Sequence, residues 1–154
     1  MSKQTLGSIA EIQAFVGQPA VVGDAILIDQ ATVDAFAAVT RDHQWIHVDP
    51  ERAATESPFG TTIAHGLLTL GLITGWYNQC FDFPNRKMGL NYGFDRIRFT
   101  APVPTGSELV GSFQLKRVEP LRDDEIRCVW QIEVRVVGAE RPALVAEWLT
   151  QLRY

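Results

Sequence analysis

The clearest pattern in the chain runs from residue 125 to 137. There Ile126, Cys128, Trp130, Ile132, Val134 and Val136 alternate with Arg127, Gln131, Glu133 and Arg135. Period-two alternation of this length predicts a β-strand with one face buried. Residues 91–100, 109–118 and 144–154 read as three further strands. In the first of these, Tyr92 and Phe94 share one parity and Ile97 and Phe99 the other, so a bulge is predicted near Asp95. Turn-rich links such as residues 102–107 separate the strands.

The first half of the chain follows a helical period instead. Ser8 and Glu11 form a capping box ahead of Ile12, Phe15 and Val16, and Gly17 closes that short helix. Ile26, Leu27 and Ile28 make a brief strand. Asp29 caps a second helix that carries Val33, Phe36, Ala37 and Thr40 on one face. Asp49 followed by Pro50 starts a third. The longest helical run is residues 64–80, where Leu67, Leu68, Leu70, Leu72, Ile73 and Trp76 leave no polar face. Such a helix has to be enclosed rather than laid on a surface. Helices first and consecutive antiparallel strands after them predict an α+β class, a single domain over residues 1–154 with one sheet curled around the apolar helix.

Charge and composition narrow the function. Fourteen Lys and Arg against 18 Asp and Glu give a net charge of -4, with no basic run. Nucleic-acid and anionic-membrane partners therefore have no electrostatic footprint. Residues 57–81 lack any charged side chain, yet Pro58, His65, Asn78 and Gln79 interrupt them, and the apolar core is too short to span a bilayer. Gly71 and Gly75 form a GxxxG pair, a weak signal outside an apolar 20-mer. Two cysteines, Cys80 and Cys128, and an N-terminus without an apolar leader segment point to free thiols in a cytoplasmic protein.

All three histidines lie in the stretch TRDHQWIHVDPERAATESPFGTTIAHG, residues 40–66. Asp42 and His47 would diverge on a continuous helix. They converge only if the chain leaves its helix near Arg41, with Trp45, Ile46 and Val48 pinning the returning loop to the core. An acid and an imidazole so placed share a water, one taking its proton while the other supplies one. Gly66 opens the apolar helix, where backbone N–H groups are unpaired and no side chain blocks approach, so its N–H can meet a substrate carbonyl oxygen. His65 reads as an anchor for the loop that presents Gly66, and Gln44 as a group that orients a water or His47. His43 reads as a solvated residue. A metal reading competes: His43 and His47 have the spacing of a helical ligand pair, with Asp42, Asp49 and His65 to complete a shell. It is set aside because the segment reads as loop, where that spacing means nothing. Arg86, Lys87, Arg96 and Arg98 are candidates for contacts with substrate phosphates.

RDHQWIHVDPERA, then FGTTIAHGLLTL, then NYGFDRIRFTAPVPTGSEL, together resemble the MaoC-like hydratase family. These are the (R)-specific enoyl-CoA hydratases and (3R)-hydroxyacyl-thioester dehydratases of hot-dog fold, here nearest the branch that includes nodulation protein N and short mycobacterial dehydratases. The likeness covers nearly the whole chain from about Gly17. Many hydratases carry Asn-Pro where this chain has Gln44-Trp45. The resemblance implies that Asp42 and His47 are the catalytic dyad. It places Gly66 where a backbone N–H binds the thioester carbonyl, with Ala64, His65 and Gln44 beside the substrate. It further implies an acyl-CoA or acyl carrier protein thioester as substrate, no metal or other cofactor, and a homodimer joined edge to edge. A thioesterase, or a module that binds acyl thioesters without turnover, are the alternatives on the same fold.

Overall fold

The computed structural model describes residues 3–154. Its elements in chain order are β1 (Gln4–Thr5), α1 (Ile9–Phe15), β2 (Val21–Val22), β3 (Ile26–Ile28), α2 (Gln30–Thr40), α3 (Trp45–Val48), α4 (Pro50–Glu56), α5 (Gly66–Gly71), α6 (Ile73–Cys80), β4 (Phe81–Asp82), β5 (Met88–Phe99), β6 (Ser107–Arg122), β7 (Glu125–Val136) and β8 (Leu144–Arg153). The large sheet runs β2-β6-β7-β8-β5, with β3 also on β6, and every pairing in it is antiparallel.

The caps act as the sequence implies. The Ser8 hydroxyl accepts from Glu11 N–H, and the Glu11 carboxylate reaches back to Gly7 N–H at 2.6 Å. Asp29 accepts from the Thr32 hydroxyl at 2.7 Å and from Thr32 N–H at 2.8 Å, and these bonds hold its carboxyl below the usual range. Asp49 accepts from Arg52 N–H at 3.0 Å with Pro50 in the first turn. The inward residues of β7 (Ile126, Cys128, Trp130, Ile132 and Val134) are all buried. On β5 the expected bulge at Asp95 is present, and a second occurs at Tyr92. The bulge puts Phe94 and Ile97 on one face, so both pack against the core.

Three expectations need correction. The run 64–80 is two helices, α5 and α6, beginning at Gly66 and joined by a turn at Leu72. The bonds Leu72 N to Leu68 O and Trp76 N to Leu72 O persist, while Gly75 N also closes on Leu72 O at 3.0 Å. The axis therefore continues through one tightened turn, between two glycines of low helix propensity. The helix is also not enclosed all round: Leu67, Gly71, Thr74, Gly75 and Asn78 form an exposed stripe, with Leu67 62% accessible. Hydrophobicity alone could not show it, because only one side of the helix meets the sheet. Finally, residues 45–48 are a single helical turn rather than loop. Unforeseen as well is the parallel pair β1–β4, which ties residues 4–5 to 81–82.

The core lies between α5–α6 and the concave face of the sheet. Trp76 is its centre, fully buried, its indole N–H donating to Asp24 O at 2.8 Å. A Cβ on Gly23 or Gly111 would stand 2.5 Å or 2.6 Å from the Trp76 ring, so both must be glycine for the indole to fit. Tyr77 packs edge-on to Trp130 and Trp148 and against Phe81, Phe83 and Phe113.

Candidate active site

Helix α2 ends at Arg41, whose φ of 63° and ψ of 21° turn the chain into the left-handed region. Arg41 is the one non-glycine residue with positive φ among those described. That turn sends Asp42 out of the helix. The Asp42 carboxylate then accepts from Gln44 N–H at 3.3 Å, a local turn typical of aspartate. The chain re-forms a single turn, α3, on which His47 points inward, 7% accessible. Ile63 anchors this turn twice: its N–H donates to Ile46 O at 3.0 Å, and its carbonyl lies 2.6 Å from His47 Nδ1.

His65 closes the arrangement. Its Nε2 lies 3.0 Å from the backbone oxygen of Asp42 and 4.0 Å from the carboxylate. Its ring stacks on His47 with centroids 3.8 Å apart and planes inclined by 25°. Phe36 of α2 covers its other side. Carbonyl oxygens only accept, so the network assigns the protons to His47 Nδ1 and His65 Nε2. Neutral rings then present lone pairs at His47 Nε2 and His65 Nδ1. The latter is buried with no hydrogen-bond partner among the described residues.

Asp42, His47 and His65 each offer an atom within 4.8 Å of the others, a span that one bridging water can cover. The same spacing raises the question of a metal ion. Imidazole binds a metal in its ring plane at about 2 Å, and two stacked rings with centroids 3.8 Å apart and only 25° between their planes do not direct lone pairs to one point within that reach. The donor set therefore fits a shared water better than a shared cation. His43 is exposed and outside the cluster, and Asp49 is occupied in capping α4.

A cavity of about 370 Å³ opens beside His47, lined by Ala64, Gly66 and Thr69 on one side and Phe99, Pro102 and Val103 on the other. Gly66 is the first residue of α5. Leu68 and Thr69 N–H close on His65 O, whereas Gly66 N–H makes no hydrogen bond among the described residues. A Cβ on Gly66 would meet the Phe99 ring at 2.9 Å, so glycine is required there by packing as well as by access. Ala64 is buried and holds Val103 O through its N–H at 2.8 Å. Gln44 is exposed, and its side chain makes no hydrogen bond to His47, which Ile63 orients instead. The candidate phosphate contacts lie elsewhere: Lys87 donates to Tyr154 O, Arg98 to Ile97 O, and Arg86 stacks on Phe83. Arg96 lines a separate groove with Asp95 and Glu147.

Several supporting residues gave no sequence signal. Gln30, in the first turn of α2, donates to His47 O at 2.7 Å and to Asp34 at 2.8 Å. The buried Thr62 hydroxyl donates to Gln30 Oε1 at 2.6 Å and sits 2.9 Å from the Thr105 hydroxyl. The paired threonines ahead of IAHG were the visible trace of this network. The carbonyl of Ile63 leaves none.

The model of the MaoC like domain matches residues 11–136. The chain belongs to this family. The MaoC-like chain is 43% identical to nodulation protein N of Rhizobium leguminosarum bv. viciae over 148 residues, 96% of this chain and 92% of that protein. It is 43% identical to 3-hydroxyacyl-thioester dehydratase Z of Mycobacterium tuberculosis over 144 residues, 94% and 95% of the two chains. Its structure superposes on the (R)-hydratase from A. caviae involved in PHA biosynthesis with a TM-score of 0.69 at 29% identity, covering 88% of this chain and 94% of that one. The MaoC-like chain thus has the hot-dog fold, and the family's members are hydro-lyases. Among the described residues, no helix is long and apolar enough to cross a membrane.

Proposed function

We propose that this chain adds water reversibly across the double bond of a trans-2-enoyl thioester to give the (R)-3-hydroxyacyl thioester. The observation that carries the reading is the convergence of Asp42, His47 and His65 at the edge of an apolar cavity whose other side is Gly66. The Asp42 carboxylate takes a proton from the water as its oxygen attacks Cβ. His47 steadies the same water through its Nε2 lone pair, and the proton taken up by Asp42 passes to Cα, so that the hydroxyl and the proton added both come from that water. The thioester oxygen gains negative charge during attack, and the unpaired N–H of Gly66 stabilises it. Ala64 and the apolar walls hold the enoyl segment. His65 acts on the dyad rather than on the substrate, through its stack on His47 and its bond to Asp42 O. The 2.6 Å bond from His47 Nδ1 to Ile63 O keeps Nε2 as the working nitrogen. These groups need no metal or redox cofactor; CoA or acyl carrier protein enters only as the thiol of the substrate.

The working form is a homodimer. Among the described residues, strand β5 has a partner on one edge only, and it exposes Met88, Leu90 and Tyr92. It lies beside the open stripe of α5–α6, and a second copy covers both at once.

Crotonyl-CoA hydration tests the reading. Loss of enoyl absorbance, with (R)- and (S)-specific hydroxyacyl dehydrogenases coupled in parallel, is expected only with the (R) enzyme. Release of free thiol in place of hydration would make the chain a thioesterase. Binding without either product would make it a carrier module.

A further inference from the structure

The single turn α3 that carries His47 cannot hold itself in place. It has four residues, and Gln44 before it makes no side-chain cap bond. A turn that short is not stable alone, and its last carbonyls have no partner within it. One side chain from another helix supplies what is missing.

Gln30 lies in the first turn of α2, the helix whose far end releases Asp42. Its amide Nε2 donates to His47 O at 2.7 Å and to the Asp34 carboxylate at 2.8 Å. Both partners only accept, so the amide has one orientation and Oε1 faces the other way. Oε1 accepts from the buried Thr62 hydroxyl at 2.6 Å. A hydroxyl has one proton, so the Thr105 hydroxyl, 2.9 Å away, donates to Thr62 in turn.

Thr62 precedes Ile63, whose carbonyl receives His47 Nδ1–H and whose own N–H holds Ile46 O. The segment 62–64 is braced from behind: Thr105 N–H donates to Thr62 O at 2.9 Å, and Ala64 N–H to Val103 O at 2.8 Å. His47 is thus gripped twice, at its ring by this segment and at its carbonyl by α2. Gln30 joins the two grips through one planar amide. Neither Gln30 nor Thr62 lines the cavity, so the walls that face the acyl group do not depend on them directly.

We infer that Gln30 is a positioning residue for hydration: it fixes where His47 Nε2 points by tying the His47 backbone to the segment that grips the ring. The inference rests on the hydratase reading and adds to it a group that touches neither water nor substrate.

The test is a double-mutant cycle on crotonyl-CoA hydration, with thermal midpoints measured on the same preparations. Gln30→Met keeps the side chain's length and removes both bonds. It is expected to lower kcat roughly tenfold with KM little changed, a part of the roughly 10²-fold that a misplacement of about 1 Å can cost. In a His47→Asn background the carbonyl at position 47 remains but the imidazole is gone. There the same Gln30→Met change should lower kcat no further, whereas a general loosening of the site would multiply the two losses. Thr62→Ser, which keeps the hydroxyl, should keep the parental kcat where Thr62→Val loses it, and this pair carries the same cycle should Gln30→Met fold poorly. An unchanged kcat, a loss confined to KM, or losses that multiply in the His47→Asn background each overturn this inference and leave the hydratase reading standing. Failure of the wild-type chain to hydrate any enoyl thioester removes the hydratase reading, and this inference with it.

Discussion

The two ends of the central helix treat polar groups in opposite ways. At the end of α6, around Trp76 and the two core tryptophans Trp130 and Trp148, each indole N–H is matched to an acceptor, and the glycines at 23 and 111 are shaped to the Trp76 ring. At the start of α5 the polar groups are arranged but left spare. Asp42 is half exposed and accepts one long local bond, and each histidine uses one nitrogen to hold position and keeps the other free. The first end is built for stability and the second for reaction. Substitutions should therefore separate the two properties.

The largest effect is expected at the closed end. Trp76→Ala removes a fully buried indole and strands Asp24 O, and should cost about 3–5 kcal/mol in a denaturant titration. At the open end Asp42→Asn and His47→Asn should each lower kcat/KM by at least roughly 10²-fold. The Asp42 variant should lie within about 0.5 kcal/mol of the parent in stability, since its side chain holds almost nothing. An Asp42 variant that unfolds, or one that keeps its activity, would break the contrast.

Between the ends sits the Gln30–Thr62 link. Thr62→Val leaves Gln30 Oε1 without its buried donor and should cost about 1–3 kcal/mol, together with a several-fold loss of rate through the His47 carbonyl. If stability falls and the rate does not, the link belongs to the fold alone. The smallest effect is alkaline. Burial pushes the Cys80 thiol up to about 11 and the Cys128 thiol to about 12, from an ordinary thiol value of 9.0. A thiol held neutral in the fold stabilises fully below its unfolded pKa. That contribution is lost as pH rises from 9 through those folded values. Thermal midpoints should therefore decline from about pH 9 upward, and Cys128→Ala should flatten the decline. Neither thiol should react readily with an alkylating agent at neutral pH while the chain is folded.

What the sequence disclosed divides along the same line. β7 was legible because burial on one face writes period two directly into Ile126, Cys128, Trp130, Ile132 and Val134. The caps at Ser8, Asp29 and Asp49 were legible because their partners are three residues away. The exit at Arg41 followed from requiring Asp42 and His47 to meet. The turn at Leu72 was not legible, because its residues suit either one helix or two. Nor was the exposed side of α5–α6, where Leu67 is as apolar as the buried Leu68. The grip on the two rings was hidden for a different reason: Ile63 holds His47 and Asp42 holds His65 through backbone oxygens, which every residue possesses. Residue identity announces side-chain chemistry and stays silent about the main chain that aims it.

The left-handed turn at Arg41 has a consequence for how this chain can be altered. A residue with a Cβ gives up about 1 kcal/mol to adopt that conformation, and glycine would recover it. Glycine would also make other directions nearly as accessible, and the acid would lose its fixed bearing on the imidazole. Selection for heat resistance alone would favour that exchange; selection for turnover would resist it. Position 41 is thus where the two pressures on this protein pull against each other, one residue away from any atom that reacts.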